Sequence, residues 1–133
     1  MMAQNDDVKV LKFALMIAAI VSLVYGLGFL LIPGTLVKLS GGNLVEGGWL
    51  RWPGGVIIAW AIGSLIVYGK PEKQNIFVTY LALAHLLSGL GLLYSWIMQE
   101  YSGATWFVVI PTCILLILSA LLFWGRNQAK GIL

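Results

Sequence analysis

Charged and chemically reactive residues are scarce in this chain of 133 residues. Charged residues make up 10% of the sequence, whereas an ordinary soluble domain has about a quarter. The chain has one cysteine, Cys113, and one histidine, His85. A single cysteine excludes an internal disulfide and a metal site built from several thiolates. A single histidine excludes a haem held between two axial histidines of this chain.

The sequence also lacks the residue sets on which common catalytic sites depend. It contains no Ser-His-Asp set, no pair of intramembrane carboxylates, no phosphate-binding glycine motif and no metal-ligand spacing. The 8 lysines and arginines are dispersed, so the net charge of +3 does not indicate nucleic-acid binding. These absences argue against an enzyme, and they leave no metal site to assign.

Apolar residues dominate instead, with 60% of the chain hydrophobic and a mean hydropathy of +0.94. Four apolar runs cover residues 10–32, 49–68, 74–98 and 104–124. Each has roughly the 20 residues that a helix needs to cross a bilayer, where backbone groups must be satisfied within the segment. The first run is too long for a signal peptide, and no A-x-A cleavage site follows it. We therefore predict an all-α membrane protein, a single domain over 1–133 folded as an antiparallel four-helix bundle.

Basic residues predict the orientation of this bundle. Four spans place both termini and the 69–73 turn on one side of the membrane. That side holds six lysines and arginines, and the other side holds only Lys38 and Arg51. By the positive-inside rule, we expect a multi-pass protein of the inner (cytoplasmic) membrane with both termini in the cytoplasm.

Small residues at helical spacing predict how the spans pack, because such residues let helix backbones approach closely in lipid. The first run has Ala14, Ala18, Ser22 and Gly26, each four residues apart. The positions assigned to packing from such stripes in the first three runs are Gly26, Gly55, Ala59, Gly63, Ser88 and Gly89.

The segment GGWLRWPGG, residues 47–55, places Arg51 at the start of the second run. Arg51 lies four residues before Gly55, so we expect its side chain to point into the bundle, about 14 Å from the membrane midplane. The nearby helix N-terminus disfavours a cation, which calls for an anion. The alternatives are a salt bridge to Glu46 or Glu100, a lipid phosphate, and a site for an anionic or quinone-like headgroup.

Pro53 leaves the start of the second span open. Either the helix begins earlier, near Trp49, with a kink, or the 33–50 connection enters the outer leaflet. Proline is tolerated in a first helical turn, so it does not exclude the earlier start.

His85 lies near the centre of the third run. It could ligate a tetrapyrrole, relay protons, or form a hydrogen bond to Ser22, Tyr25 or a backbone carbonyl. Its depth differs from that of Arg51 by about 14 Å, so the two cannot pair directly. They could bound the two ends of one pocket.

Three segments together are similar to a known family. A first span ending in YGLGFLLIPG, a second opening with WLRWPGG and a third with LAHLLSGLGLLYSW resemble the DoxX-like superfamily, over nearly the whole chain. The resemblance implies a four-helix membrane protein, and some members of that superfamily are associated with membrane quinone redox systems. It carries over no catalytic residue.

Three functional classes follow. The favoured one is a non-catalytic accessory or structural subunit of a larger membrane complex. The others are a DoxX-like redox helper that binds quinone or lipid, and a small transporter acting as a homo-oligomer. The expected partners are membrane lipids and other membrane subunits or further copies of this chain. The cofactors to consider are a lipid, a quinone or a tetrapyrrole.

Overall fold

The computed structural model describes residues 2–42 and 47–133, and the regular elements in these ranges are helical. In chain order they are α1 (Met2–Leu31), α2 (Pro33–Leu39), a 3-10 turn (Gly47–Leu50), α3 (Arg51–Gly69), α4 (Asn75–Ile97) and α5 (Trp106–Gln128). Four segments are long and apolar enough to cross a membrane: Asp6–Leu31, Gly48–Gly69, Asn75–Ile97 and Trp106–Gln128. The predicted all-α fold with four spans is therefore confirmed.

Helix α1 is the centre of the bundle, since it packs along both α3 and α5, and α5 packs along α4. Its small residues Ala14, Ala18, Ser22 and Gly26 are buried. The tightest contact with α5 is at Gly125, where an added Cβ would lie 2.6 Å from the Cα of Leu11. Small residues thus let two neighbouring helices approach one face of α1 closely.

Two backbone hydrogen bonds show which segments lie together at each end of the bundle. At one end, the amide of Lys73 donates to the carbonyl of Ile132 at 3.2 Å, which joins the 70–73 turn to the C-terminus. We call this the terminal end, because the start of α1 also lies there. At the opposite end, the amide of Ala104 donates to the carbonyl of Ser40 at 2.7 Å. This loop end contains α2, the 3-10 turn and residues 98–105.

Pro33 separates α1 from the short helix α2, which the apolar pattern alone does not predict. Proline has no N–H to continue the α1 hydrogen-bond series, yet it suits the first turn of a new helix. The chain turns at Ile32 (φ −130°, ψ 45°), and α2 then begins at Pro33. The carbonyls in the last turn of α1 are consequently short of helical donors.

The structure decides how the second span begins. The 3-10 turn Gly47–Leu50 runs directly into α3, and Pro53 falls in the first turn of that α-helix. Helical structure therefore starts before Pro53, as in the first of the two alternatives. Proline costs nothing there, because N–H groups of a first turn have no partner within the helix.

The face of α3 that packs in the bundle differs from the prediction. Gly55 and Ala59 are exposed, whereas Gly54, Ala61 and Ser64 are buried. A Cβ added to Gly54 would lie 2.8 Å from the amide nitrogen of Leu30 and 3.0 Å from the carbonyl oxygen of Gly26, whereas a Cβ on Gly55 would meet nothing within 4 Å. One residue along a helix is a rotation of about 100°. The prediction assigned the contact to Gly55 and the structure assigns it to Gly54. The predicted packing face of α3 is therefore rotated by about 100° and faces outward.

The other packing positions lie in contact with neighbouring helices. Gly26 is buried against Gly54 and Ile58, and Gly89 is buried against Leu116. Gly63 is half-buried and faces the ring of Phe77. These contacts join α1 to α3, α4 to α5, and α3 to α4.

The adjacent glycines of α3 provide a matched test of this packing. We expect Gly54→Ala to lower the free energy of unfolding by about 1–3 kcal/mol, because the new methyl group meets backbone atoms of α1 that cannot move aside. Gly55→Ala should stay within about 1 kcal/mol of the parent or stabilise it, since alanine is the better helix former. Unfolding in detergent micelles, followed by circular dichroism, measures both. Equal stability of the two variants would contradict the assigned face.

Candidate functional site

A cavity of about 510 Å³ lies within the loop-end half of the bundle and is lined by all four spanning helices. Aromatic side chains line the part nearest the loop end: Phe29, Trp52 and Phe107. Its floor, near the middle of the spans, includes Trp60, His85 and Ile114. Of the aromatic side chains at the loop end, Trp52 is 71% exposed. The size of the cavity falls in the range of small-molecule sites, which measure about 300–1,000 Å³.

Side chains rather than backbone join α3 to α4 beside the cavity. The indole Nε1 of Trp60 donates to the hydroxyl of Tyr80 at 3.2 Å, and the ring of Trp60 lies 5.4 Å from that of His85 between centroids. The backbones of α3 and α4 do not pack as closely as those of α1 and α3 within the described ranges. In α5, Pro111 lines the cavity and interrupts the hydrogen-bond series of the helix.

His85 is the most polar group of the cavity floor, and only 1% of its surface is exposed. Its Nδ1 lies 2.8 Å from the carbonyl oxygen of Leu81, one turn earlier in α4. Of the partners considered for this histidine, the backbone carbonyl is therefore the one that the structure shows. The other ring nitrogen, Nε2, has no hydrogen bond to any described residue. Since no described side-chain nitrogen or oxygen is both fully buried and unpartnered, Nε2 must open onto the cavity.

Two serine hydroxyls accompany His85 on the cavity surface. Ser22, which is 3% exposed, and Ser88, which is half-buried, both line the cavity and have no hydrogen-bond partner among the described residues. Three other helical hydroxyls have partners: Ser64, Thr79 and Thr112 each donate to the carbonyl four residues earlier at 2.7 Å. Ser88 was assigned to helix packing, but the structure turns it towards the cavity, and the adjacent Gly89 makes the close contact with α5.

Arg51 lies outside this cavity. Its side chain is exposed, and an Nη atom donates to the backbone carbonyl of Leu30 in the last turn of α1. The expectation that it points into the bundle is therefore wrong. The physical reason is that Pro33 ends α1 and leaves C-terminal carbonyls, where the helix dipole attracts a cation. The neighbouring Trp52 and Pro53 line the cavity instead.

Of the two acidic residues considered as partners of Arg51, the structure describes only Glu100. Glu100 is exposed, and within 2–42 and 47–133 the one ion pair joins Lys9 to Asp6, so no bridge from Arg51 to Glu100 is present. Glu46 lies outside the described residues. The carbonyl of Leu30 thus supplies partial negative charge to Arg51, for which a salt bridge, a lipid phosphate and a ligand headgroup were the alternatives.

The lining of the cavity limits what it can bind. In the described part of the chain, no group of three histidine, cysteine or acidic residues could hold a metal ion. No lysine, arginine or carboxylate lines the cavity. Its few polar groups sit at the floor of an aromatic and aliphatic chamber. Such a site suits a neutral, mostly apolar molecule with one small polar group.

The sequence contained part of the signal for this site. Ser22 and Tyr25 are three residues apart, as are His85 and Ser88, which places each pair on one helix face. The role of Trp52 was missed, because tryptophans near span ends are expected at membrane interfaces whatever else they do. Trp60, at the middle of α3, was not singled out.

Comparison with known proteins gives no match: no family model, no curated protein and no solved structure resembles this chain significantly.

A substitution series tests the assigned partner of Arg51. We expect Arg51→Gln to lower the free energy of unfolding by about 1 kcal/mol, because it removes the cation from the carbonyl end of α1. Arg51→Lys keeps the charge but loses the planar donor group, so it should fall between parent and Arg51→Gln. Chemical unfolding in micelles measures each variant.

Glu100→Gln is the matched control for this series. It should be neutral alone, and it should not change the effect of Arg51→Gln in a double-mutant cycle. A coupling energy of about 1 kcal/mol or more between the two positions would show that the partner is the carboxylate.

Proposed function

We propose that this membrane protein binds a neutral lipophilic molecule, of the quinone or lipid class, in the cavity between its four spans. One observation supports the proposal above the others: Nε2 of His85 and the hydroxyls of Ser22 and Ser88 line one cavity and have no hydrogen-bond partner among the described residues. A polar group that faces an apolar cavity gains stability when it finds a hydrogen-bond partner there. A bound molecule with a polar end would satisfy these three groups.

The rest of the cavity supports the same function. Its aromatic walls offer stacking surfaces to a ring, and the exposed Trp52 at its loop end lies where a molecule dissolved in the bilayer could enter. The volume of about 510 Å³ would accommodate a ring system and part of a chain. No charged side chain in the lining would bind a phosphate headgroup, so we propose that the polar end of the ligand is uncharged.

The proposed setting of this site follows from charge. Lys70, Lys73 and Arg126 lie at the terminal end, where the Nε of Arg126 donates to the Asn75 Oδ1 at 2.8 Å. With the positive-inside rule, this distribution supports a cytoplasmic terminal end. The ligand would then enter from the outer leaflet of the inner membrane. The resemblance to the DoxX-like superfamily agrees with a lipophilic ligand.

A second candidate is an accessory subunit of a larger membrane complex. The observation that favours it is the outward position of Gly55 and Ala59, which leaves a strip of small residues facing away from the bundle. Such a strip allows another membrane helix to approach closely. An accessory subunit could also hold the ligand, so the two functions are compatible.

The experiment compares two adjacent phenylalanine substitutions in α4. Ser88→Phe fills the cavity, whereas Leu87→Phe adds a ring to a side chain that is 66% exposed on the lipid face. We expect native mass spectrometry of the parent and of Leu87→Phe to show a co-purified lipophile, with occupancy at least about tenfold lower in Ser88→Phe because the ring excludes it.

The same spectra discriminate between the candidates. A small mass that disappears only in Ser88→Phe supports ligand binding. A protein-sized partner in all three samples, with no small mass, would favour the accessory subunit and contradict the cavity as the functional site.

A further inference from the structure

We infer that the cavity selects a neutral lipophile that donates a hydroxyl hydrogen to Nε2 of His85. In this hydrogen bond the ligand is the donor and the histidine is the acceptor. The inference rests on the proposed function, since it specifies which class of molecule occupies the cavity. It distinguishes phenols, alcohols and the reduced (quinol) form of a quinone from oxidised quinones, other ketones, ethers and other molecules that only accept hydrogen bonds.

The bond between His85 and Leu81 fixes the tautomer of the imidazole ring. A carbonyl oxygen can only accept, so Nδ1, at 2.8 Å from it, carries the proton. No carboxylate lines the cavity to stabilise an imidazolium at this depth, so the ring is neutral. In the neutral ring with Nδ1 protonated, Nε2 has a lone pair and no hydrogen. The histidine therefore presents a fixed acceptor to the cavity.

The other polar groups of the cavity are compatible with a donating ligand. The hydroxyls of Ser22, Tyr25 and Ser88 can donate or accept, so they adapt to either kind of ligand. Pro111 has no N–H to give to the carbonyl of Phe107, and both residues line the cavity. Unlike these hydroxyls, Nε2 can only accept. A ligand without a donor would leave it unpaired, and this makes His85 the group that discriminates.

The depth of these groups orients the ligand. Ser22 lies about 13 Å below the loop end of α1 at 1.5 Å per residue. The hydroxyl of the ligand would thus reach the floor, while its rings lie between Trp52, Trp60 and Phe107 towards the mouth. A hydroxyl buried this deeply belongs to a molecule that is apolar apart from that group. Phenols with an apolar body and sterol-like or isoprenoid alcohols have this character.

The metal of a tetrapyrrole would use the same lone pair of Nε2. The two unpartnered serines favour the hydroxyl ligand, since a small oxygen at the floor can bond to them as well as to His85. A metal centre would leave the serine hydroxyls without a function.

The test uses two probes with the same ring system, 2-naphthol and 2-methoxynaphthalene, in which a methyl group replaces the hydroxyl hydrogen of the first. Binding to the full chain in lipid nanodiscs is followed through quenching of tryptophan fluorescence, with Ser88→Phe nanodiscs as the reference for partition into lipid. We expect 2-naphthol to bind about tenfold more tightly, the factor that corresponds to one hydrogen bond of ordinary strength. His85→Phe keeps a ring of similar size and should abolish the preference. His85→Gln should restore part of it, because its side-chain oxygen can accept.

Each outcome decides a different point. Equal affinity of the parent for both probes would overturn the inference and leave the proposed function standing. Binding of neither probe above the Ser88→Phe reference would overturn both. A preference that survives in His85→Phe would show that the serines, not the histidine, select the ligand. Purified parent protein with a strong visible absorption band would identify a tetrapyrrole and overturn the hydroxyl assignment.

Discussion

The structure depends on one constraint: in hydrocarbon, a polar group needs a hydrogen-bond partner within the protein. Helices satisfy the backbone, and some helical hydroxyls find partners in the same way, as Ser64 and Thr112 do by bonding to carbonyls one turn earlier. The same constraint accounts for Arg51. Pro33 ends α1 and leaves carbonyls without donors, and the guanidinium donates to the one on Leu30. The cation stabilises the loop end of the bundle because it donates a hydrogen bond to a backbone carbonyl that lacks a helical donor.

Three groups that lack such a partner line the same cavity. Nε2 of His85 and the hydroxyls of Ser22 and Ser88 come from two different helices and have no hydrogen-bond partner among the described residues. A cluster facing a chamber of about 510 Å³ has the form of a binding site, because one ligand could satisfy all three groups at once.

The fold was largely predictable, because the bilayer sets the length of each span and small residues reveal where helices can approach. The face of α1 follows from Ala14, Ala18 and Ser22 for that reason. The face of α3 did not, since Gly54 and Gly55 are equivalent as residue types and only the crossing with Gly26 tells them apart. The partner of Arg51 was missed because a backbone carbonyl has no residue signature. The cavity depends on the relative positions of four helices, which spacing within each span cannot supply.

The central claim is that His85 offers an unprotonated Nε2 to a ligand at the cavity floor. Because the chain has one histidine, labelling histidine with nitrogen-15 gives the ring signals of this residue alone. Nitrogen-15 magnetic resonance in nanodiscs reports directly which ring nitrogen carries hydrogen. The account predicts a protonated Nδ1 and an unprotonated Nε2 whose resonance moves when 2-naphthol is added and stays in place in 2-methoxynaphthalene. Hydrogen on Nε2, or an Nε2 resonance that neither compound moves, would contradict it.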